Sequence, residues 1–380
     1  MGKNKLYFLC YIYGYLNCYY NSLKFTDKRK YKQFKIDEVC NYLKLNNDNI
    51  IIKHIIKLAS KVEPLLSSIV VTYYFLMELI LCPFYHKIKI ENKYIYYDND
   101  REMEGLLRST DLESNKILAI SNIMGKNFMK SCDHVNILSG LFIRNIWDAY
   151  TLAIRIVFFM SKKYHKTDIL FRSYSSFEFF LLAFFLENLN KSNIYVYDAL
   201  IDRWAHLGGA QSVDTFFLQH GLVTPDSFLI KVGRVSRSYY IDEKQKEICE
   251  RYLFKNTPQC RYLKSSFKMT EEYLLSNNKL NVMLVCNMLF FESEKEIIYA
   301  LTKEGINLYI KPHPKDNAEI YKALKSSSFI ILGANEFPKV DIVISYQSTL
   351  GVKYEQAGVK VLWYDAIGTK SCIEYVKGLC

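Results

Sequence analysis

From about residue 165 onward, short apolar runs alternate with segments of helix length, and this alternation constrains the fold more than any other feature of the chain. "TDILFRSY" (167–174), "NIYVYDAL" (193–200) and "VDTFFLQHG" (213–221) read as strands. "SSFEFFLLAFFLENLN" (175–190) reads as a helix capped by Ser175 or Ser176. Further on, "RVSRSYYI" (234–241), "LNVMLVCN" (280–287), "INLYIKPHP" (306–314), "FIILGA" (329–334), "VDIVISY" (340–346) and "VKVLWYD" (359–365) are strands, with "DEKQKEICERYLF" (242–254) and "ESEKEIIYALTKEG" (292–305) as helices. Strands separated by helix-length connections pair in parallel through βαβ crossovers rather than as hairpins.

The predicted fold is therefore α/β, with two Rossmann-like domains facing a cleft and a helix-rich N-terminal half. A chain of 380 residues can build two cores. The turn residues and lost periodicity of "LVTPDSFLIK" (222–231) place the boundary between a domain of residues 1–224 and one of residues 225–380. Within the first 160 residues the pattern is mostly helical, with an early strand expected at "KLYFLCYI" (5–12). "PLLSSIVVTYYFLMELILCPF" (64–84) is long enough to cross a bilayer, but it contains Glu78 and is read as a buried or membrane-surface helix.

Charge and cysteine usage narrow the setting. The net charge of +11 favours an acidic partner, yet the densest basic stretch, "TDKRKYKQFK" (26–35), is too short for a nucleic-acid arm. No nucleic-acid partner is expected; an anionic membrane surface is. Ten cysteines without CxxC or zinc spacing fit reduced thiols. The N-terminus lacks a signal-peptide pattern, so the expected location is cytoplasmic, at the inner face of the cell membrane.

Three strand ends carry candidate chemistry. "DIVISYQSTLGVKYEQAG" (341–358) runs from a strand through Ser345 into a helix opened by Ser348 and Thr349. Free backbone N–H groups and hydroxyls at such a turn suit a phosphate, and Glu355, two turns along, suits ribose hydroxyls. Equally, Ser348 is an ordinary cap and Glu355 an ordinary solvent-facing residue. In "IKPHP" the prolines hold His313 at a strand end, where it can donate to a phosphate oxygen beside the charge of Lys311. In "FFLQHG" His220 stands at the lip of another strand, with Gly221 leaving the approach open.

Taken in order, "LQHG" (218–221), "KPHP" (311–314) and "SYQST" (345–349), followed by Glu355 and "AG" (357–358), resemble the GT-B glycosyltransferases of bacterial surface polysaccharides. The resemblance is to the group holding sialyltransferases, capsule Kdo transferases and CDP-glycerol glycerophosphotransferases, and spans roughly residues 165 to 365. It implies transfer of a sugar, first a CMP-activated sialic-acid-like or Kdo-like acid, to a glycan or lipid-linked glycan, with inversion. It makes 1–224 the acceptor-side and 225–380 the nucleotide-sugar-binding domain, and assigns His313, as acid or hydrogen-bond donor, with Ser348 and Thr349 to the donor phosphate and Glu355 to its ribose; Lys311 and Ser345, beside them in the sequence, complete the expected donor site. His220 becomes the base, as in a similar "WHG" motif. The sialyltransferases use a carboxylate instead, which leaves Asp198 open, with Glu178 and Arg172 further candidates. The phosphate charge is expected to be balanced by helix ends, Lys311 and His313, with no obligatory metal or other cofactor. Transfer of glycerol phosphate from CDP-glycerol, transfer of a UDP- or GDP-hexose, 2-epimerisation of a nucleotide sugar, and a non-catalytic binding role stand as alternatives.

Overall fold

The structure, a computed structural model, describes residues 62–97, 103–121, 132–164, 176–198, 213–223, 235–263 and 278–380, with short interruptions, and isolated positions ahead of residue 62 and between 264 and 277. It divides into two compact units, Met1–Lys264 and Ser265–Cys380.

The first unit is built on a seven-stranded sheet. Its strands are β1 (Tyr94–Tyr97), β2 (Ile117–Ser121), β3 (Asp133–Asn136), β4 (Ile194–Asp198), β5 (Asp214–Leu218), β6 (Arg237–Tyr240) and β7 (Gln259–Tyr262). They lie in the order β3-β2-β1-β4-β5-β6-β7, and every pairing is parallel. Helix Ser176–Asn188 is apolar all round and buried from Ser176 to Leu186 except at Glu178. It packs against helix Ile143–Tyr164, which in turn packs against helix Glu63–Leu81. Such a helix belongs inside, since no side of it could face water at low cost.

Three expectations change here. β1, β2 and β3 put strands into a region read as helical. The described positions between residues 5 and 12 are helical rather than a strand: Tyr7 and Tyr11, both buried, stand one helical turn apart, a spacing that strand alternation also satisfies. The boundary near residue 225 moves to Lys264/Ser265, because β6 and β7 extend the first sheet. The strand expected at 167–174 lies outside the described residues.

The second unit has a five-stranded sheet of β8 (Asn281–Val285), β9 (Asn307–Lys311), β10 (Phe329–Ile331), β11 (Ile342–Ser345) and β12 (Lys360–Trp363). The order is β10-β9-β8-β11-β12, again wholly parallel. β8, β9 and β11 are buried along their full length, the reason they read as continuous apolar runs. One face packs Val282, Leu284, Ile310 and Ile344 against Ile297, Ile298 and Leu301 of helix Phe291–Leu301. The other packs Met283, Tyr309 and Val343 against Tyr354 of helix Thr349–Gln356.

Candidate active site

In a sheet of this order, ligands bind beyond the carboxyl ends of the strands where the winding reverses. In the second unit that point lies between β8 and β11, so the loops after Val285 and Ser345 form its lips. The loop after β8 is pinned by two carboxylates, one buried and one half-buried. Glu294, wholly buried, accepts the backbone N–H of Asn287 at 2.6 Å and the hydroxyls of Tyr321 (2.8 Å) and Tyr364 (3.0 Å). Burial pushes its carboxyl up to about 7, against the pull of these three donors. Asp316 accepts the next N–H, that of Met288, at 2.8 Å. Burial raises its carboxyl too, while the Met288 N–H and His313 pull it down. The Asn287 amide then reaches the Tyr346 hydroxyl at 3.4 Å, across the switch point itself.

Sequence reasoning missed Glu294, Asp316, Asn287 and the tyrosines Tyr321, Tyr346 and Tyr364. A signal for Glu294 existed: with Ile297, Ile298 and Leu301 it falls at i, i+3, i+4 and i+7, the buried stripe of its helix.

The serine turn differs from its expectation in one respect. Ser345 donates to the Tyr346 carbonyl at 2.6 Å, which can only accept. The 2.7 Å contact between the two serine hydroxyls therefore runs from Ser348 to Ser345. Ser348 in turn accepts the Gly351 N–H at 3.0 Å, as the N-cap of helix Thr349–Gln356. Both hydroxyl hydrogens are engaged within the turn and both serines are buried. These serines shape the turn rather than present their hydroxyls. Gly351 is required by close approach, since a Cβ there would stand 2.6 Å from the Trp363 ring. What the turn leaves open is the half-buried Thr349 and the N–H groups of Ser348, Thr349 and Leu350, for which no protein acceptor is found among the described residues. Glu355 is exposed in the last turn of the helix.

Lys311 is corrected more fully. Its ammonium donates to the carbonyls of Gly333, Ala334 (2.9 Å) and Glu336 (2.9 Å) and lies 4.4 Å from the centre of the Phe337 ring. All three N–H donors are taken by the segment after β10, and the residue is buried. Burial lowers its pKa, with Glu336 opposing. His313, by contrast, is half-buried just past β9, in a turn closed by the Asp316 N–H donating to its carbonyl at 2.8 Å.

In the first unit, Asp198 and His220 come to the carboxyl edge of one sheet on neighbouring strands, for Asp198 pairs with Leu218, two residues before His220. The loop bearing His220 is held on both sides. Buried Gln219 donates to the Gly221 carbonyl (2.9 Å) and to Gln245, and accepts the Ile241 N–H (3.0 Å). Gln245 accepts the Val223 N–H at 2.7 Å. This sheet reverses between β1 and β4, and there Tyr97, closing β1, donates to Glu178. Asp98-Asn99-Asp100 follows β1 directly, an Asp-x-Asp triplet that the metal-free expectation leaves out. It lies outside the described residues, as does Arg172. Among the described residues no group of three His, Cys, Asp or Glu could hold a metal ion.

The two strand orders define a protein with two Rossmann-like α/β units. No protein-family model matches the sequence, and no curated protein matches it. Some solved structures are similar at low identity. The pneumococcal O-GlcNAc transferase GtfA, in complex with UDP and GlcNAc, aligns with a TM-score of 0.33 at 11% identity over 50% of this chain and 45% of that one. The chain thus spans under half the length of that protein. UDP-GlcNAc 2-epimerase from Neisseria meningitidis, bound to UDP-GlcNAc, aligns with a TM-score of 0.40 at 10% identity over 71% of this chain and 82% of that one. The lipopolysaccharide outer core galactosyltransferase WaaB, in its apo form, gives 0.36 at 10% identity over 71% and 79%. The fold is read from strand order, not from likenesses of this size.

Proposed function

We propose that the chain is a glycosyltransferase that moves a sugar from a nucleotide donor to a glycan acceptor. The observation that carries the reading is the switch point of the second unit. There the loop after β8 meets the N–H groups opening helix Thr349–Gln356, which have no acceptor among the described residues, and His313 stands at the end of the neighbouring β9; together these are donors of the kind a nucleotide phosphate needs. The ordered motifs of the sequence point the same way. The acceptor hydroxyl attacks the anomeric carbon, the bond from that carbon to the phosphate oxygen breaks, and the configuration inverts. His220 takes the acceptor's proton, and His313 donates a hydrogen bond to the phosphate oxygen that leaves.

A CMP-activated acidic sugar is the first donor and a glycan, soluble or lipid-linked, the acceptor. UDP- and GDP-hexoses and CDP-glycerol are the rival donors. Thermal unfolding with CMP, CDP, UDP and GDP in turn selects the nucleotide, since a bound one stabilises by about 2.7 kcal/mol at a hundredfold excess over its dissociation constant. Nucleotide release only when acceptor is present establishes transfer. Interconversion of the donor sugar without acceptor would mark an epimerase, and binding without turnover a receptor. Turnover abolished by a chelator and restored by Mn²⁺ would move the metal question to Asp98 and Asp100. In His313→Ala, turnover should fall about 10²- to 10³-fold while the nucleotide still binds.

A further inference from the structure

We propose that the outer side of helix Glu63–Leu81, in the first unit, docks flat on an anionic lipid bilayer. Leu65, Ile69, Tyr73, Leu76, Ile80 and Phe84 are each between 48% and 75% exposed. Their spacing of three and four residues aligns them along one stripe, about 28 Å long at the helical rise. That is a continuous apolar surface, unlike the scattered exposure normal for a soluble protein.

The opposite side excludes a spanning helix. Ser67, Val71, Phe75 and Glu78 are all buried, and Val71 and Phe75 belong to the core of the unit. The stretch Pro64–Phe84 has a mean hydropathy of 2.0, enough for a membrane span, yet crossing would tear this face and its carboxylate out of the core. Lying in the interface exposes only the stripe to lipid.

The border of the stripe names the occupant. Trp147, 57% exposed, packs edge-on against Phe75 at 5.4 Å, and Phe142 and Ile143 are exposed beside it in sequence. Arg144 and Lys89 extend side chains that are 91% and 83% exposed, and Lys87 sits 5.5 Å over the Phe142 ring. Asp148, 4.0 Å from Arg144, and Glu91, paired with Lys89, are the acidic neighbours. Amphipathic aromatics and long cationic side chains around an apolar stripe suit the headgroup layer, where anionic lipid answers the chain's net charge of +11.

The full chain should sediment with phosphatidylcholine vesicles containing about one-third phosphatidylglycerol, and much less with phosphatidylcholine alone. The triple variant Ile69→Asn/Leu76→Asn/Ile80→Asn should bind about tenfold or more weakly, with an unchanged unfolding temperature because the three side chains leave no core. Should that variant fold poorly, Lys89→Glu/Arg144→Glu serves, and it should lose the preference for anionic vesicles. Equal binding by the folded variants, or no vesicle binding by the wild type, overturns the proposal. So does a lipid-free dimer that the triple variant dissociates.

Discussion

Glu294 reaches from its helix to the backbone N–H of Asn287, 2.6 Å away, and so fixes the lip of the second unit's crevice from beneath. A carboxyl raised from 4.5 to about 7 keeps its proton in the native state over a range in which the unfolded chain has released it. Stability therefore falls as pH rises from about 4.5 to about 7 and levels off above, by a total on the order of 3 kcal/mol. Urea unfolding of Glu294→Gln at a series of pH values should show this slope removed, since an amide does not titrate in that range. An undiminished slope would assign it to another group.

Lys311→Met should unfold more easily by about 2–4 kcal/mol, because it leaves three inward carbonyls without their donor. Nucleotide affinity of the folded variant should stay within about threefold of wild type. Calorimetry on the folded protein is the check, and a large affinity loss with unchanged stability would return Lys311 to the donor site.

Ser348→Ala and Thr349→Val should separate two jobs within one turn. The first removes the cap and breaks the hydroxyl chain, at a cost of about 1 kcal/mol in stability. The second should leave stability alone and weaken donor binding about two- to tenfold, the worth of one hydrogen bond. Unfolding curves and nucleotide titrations on both variants test the division.

His220→Asn should lose turnover while keeping the fold, because Gln219 and Gln245 anchor the loop. Turnover and donor affinity measured on the folded variant are the check. If Asp198→Asn abolishes turnover while His220→Asn does not, the base is the carboxylate on the neighbouring strand.

What the sequence disclosed follows a physical divide. β8, β9 and β11 are buried on both faces, so each announces itself as an apolar run. β3, "DHVN" at the sheet edge, is half-exposed and polar and gives no such cue. The prolines around His313 and the cap at Ser348 are local features and were legible. Lys311 was not: its partners lie more than twenty residues on, and only folding shows that its charge turns toward Gly333, Ala334 and Glu336. Glu292, Glu294 and Glu296 look alike in sequence, and only the helical stripe separates the buried one.

The place of β6 and β7 in the first sheet has a practical consequence for anyone dissecting the chain. A fragment ended at residue 224 would strip both strands and leave β5 as a naked border, its Phe216, Phe217 and Leu218 backbone groups free to pair with another molecule. Such a piece would precipitate or form intermolecular sheet, and its inactivity would say nothing about His220. Cutting after Lys264 keeps the border where the fold puts it, at the largely exposed β7.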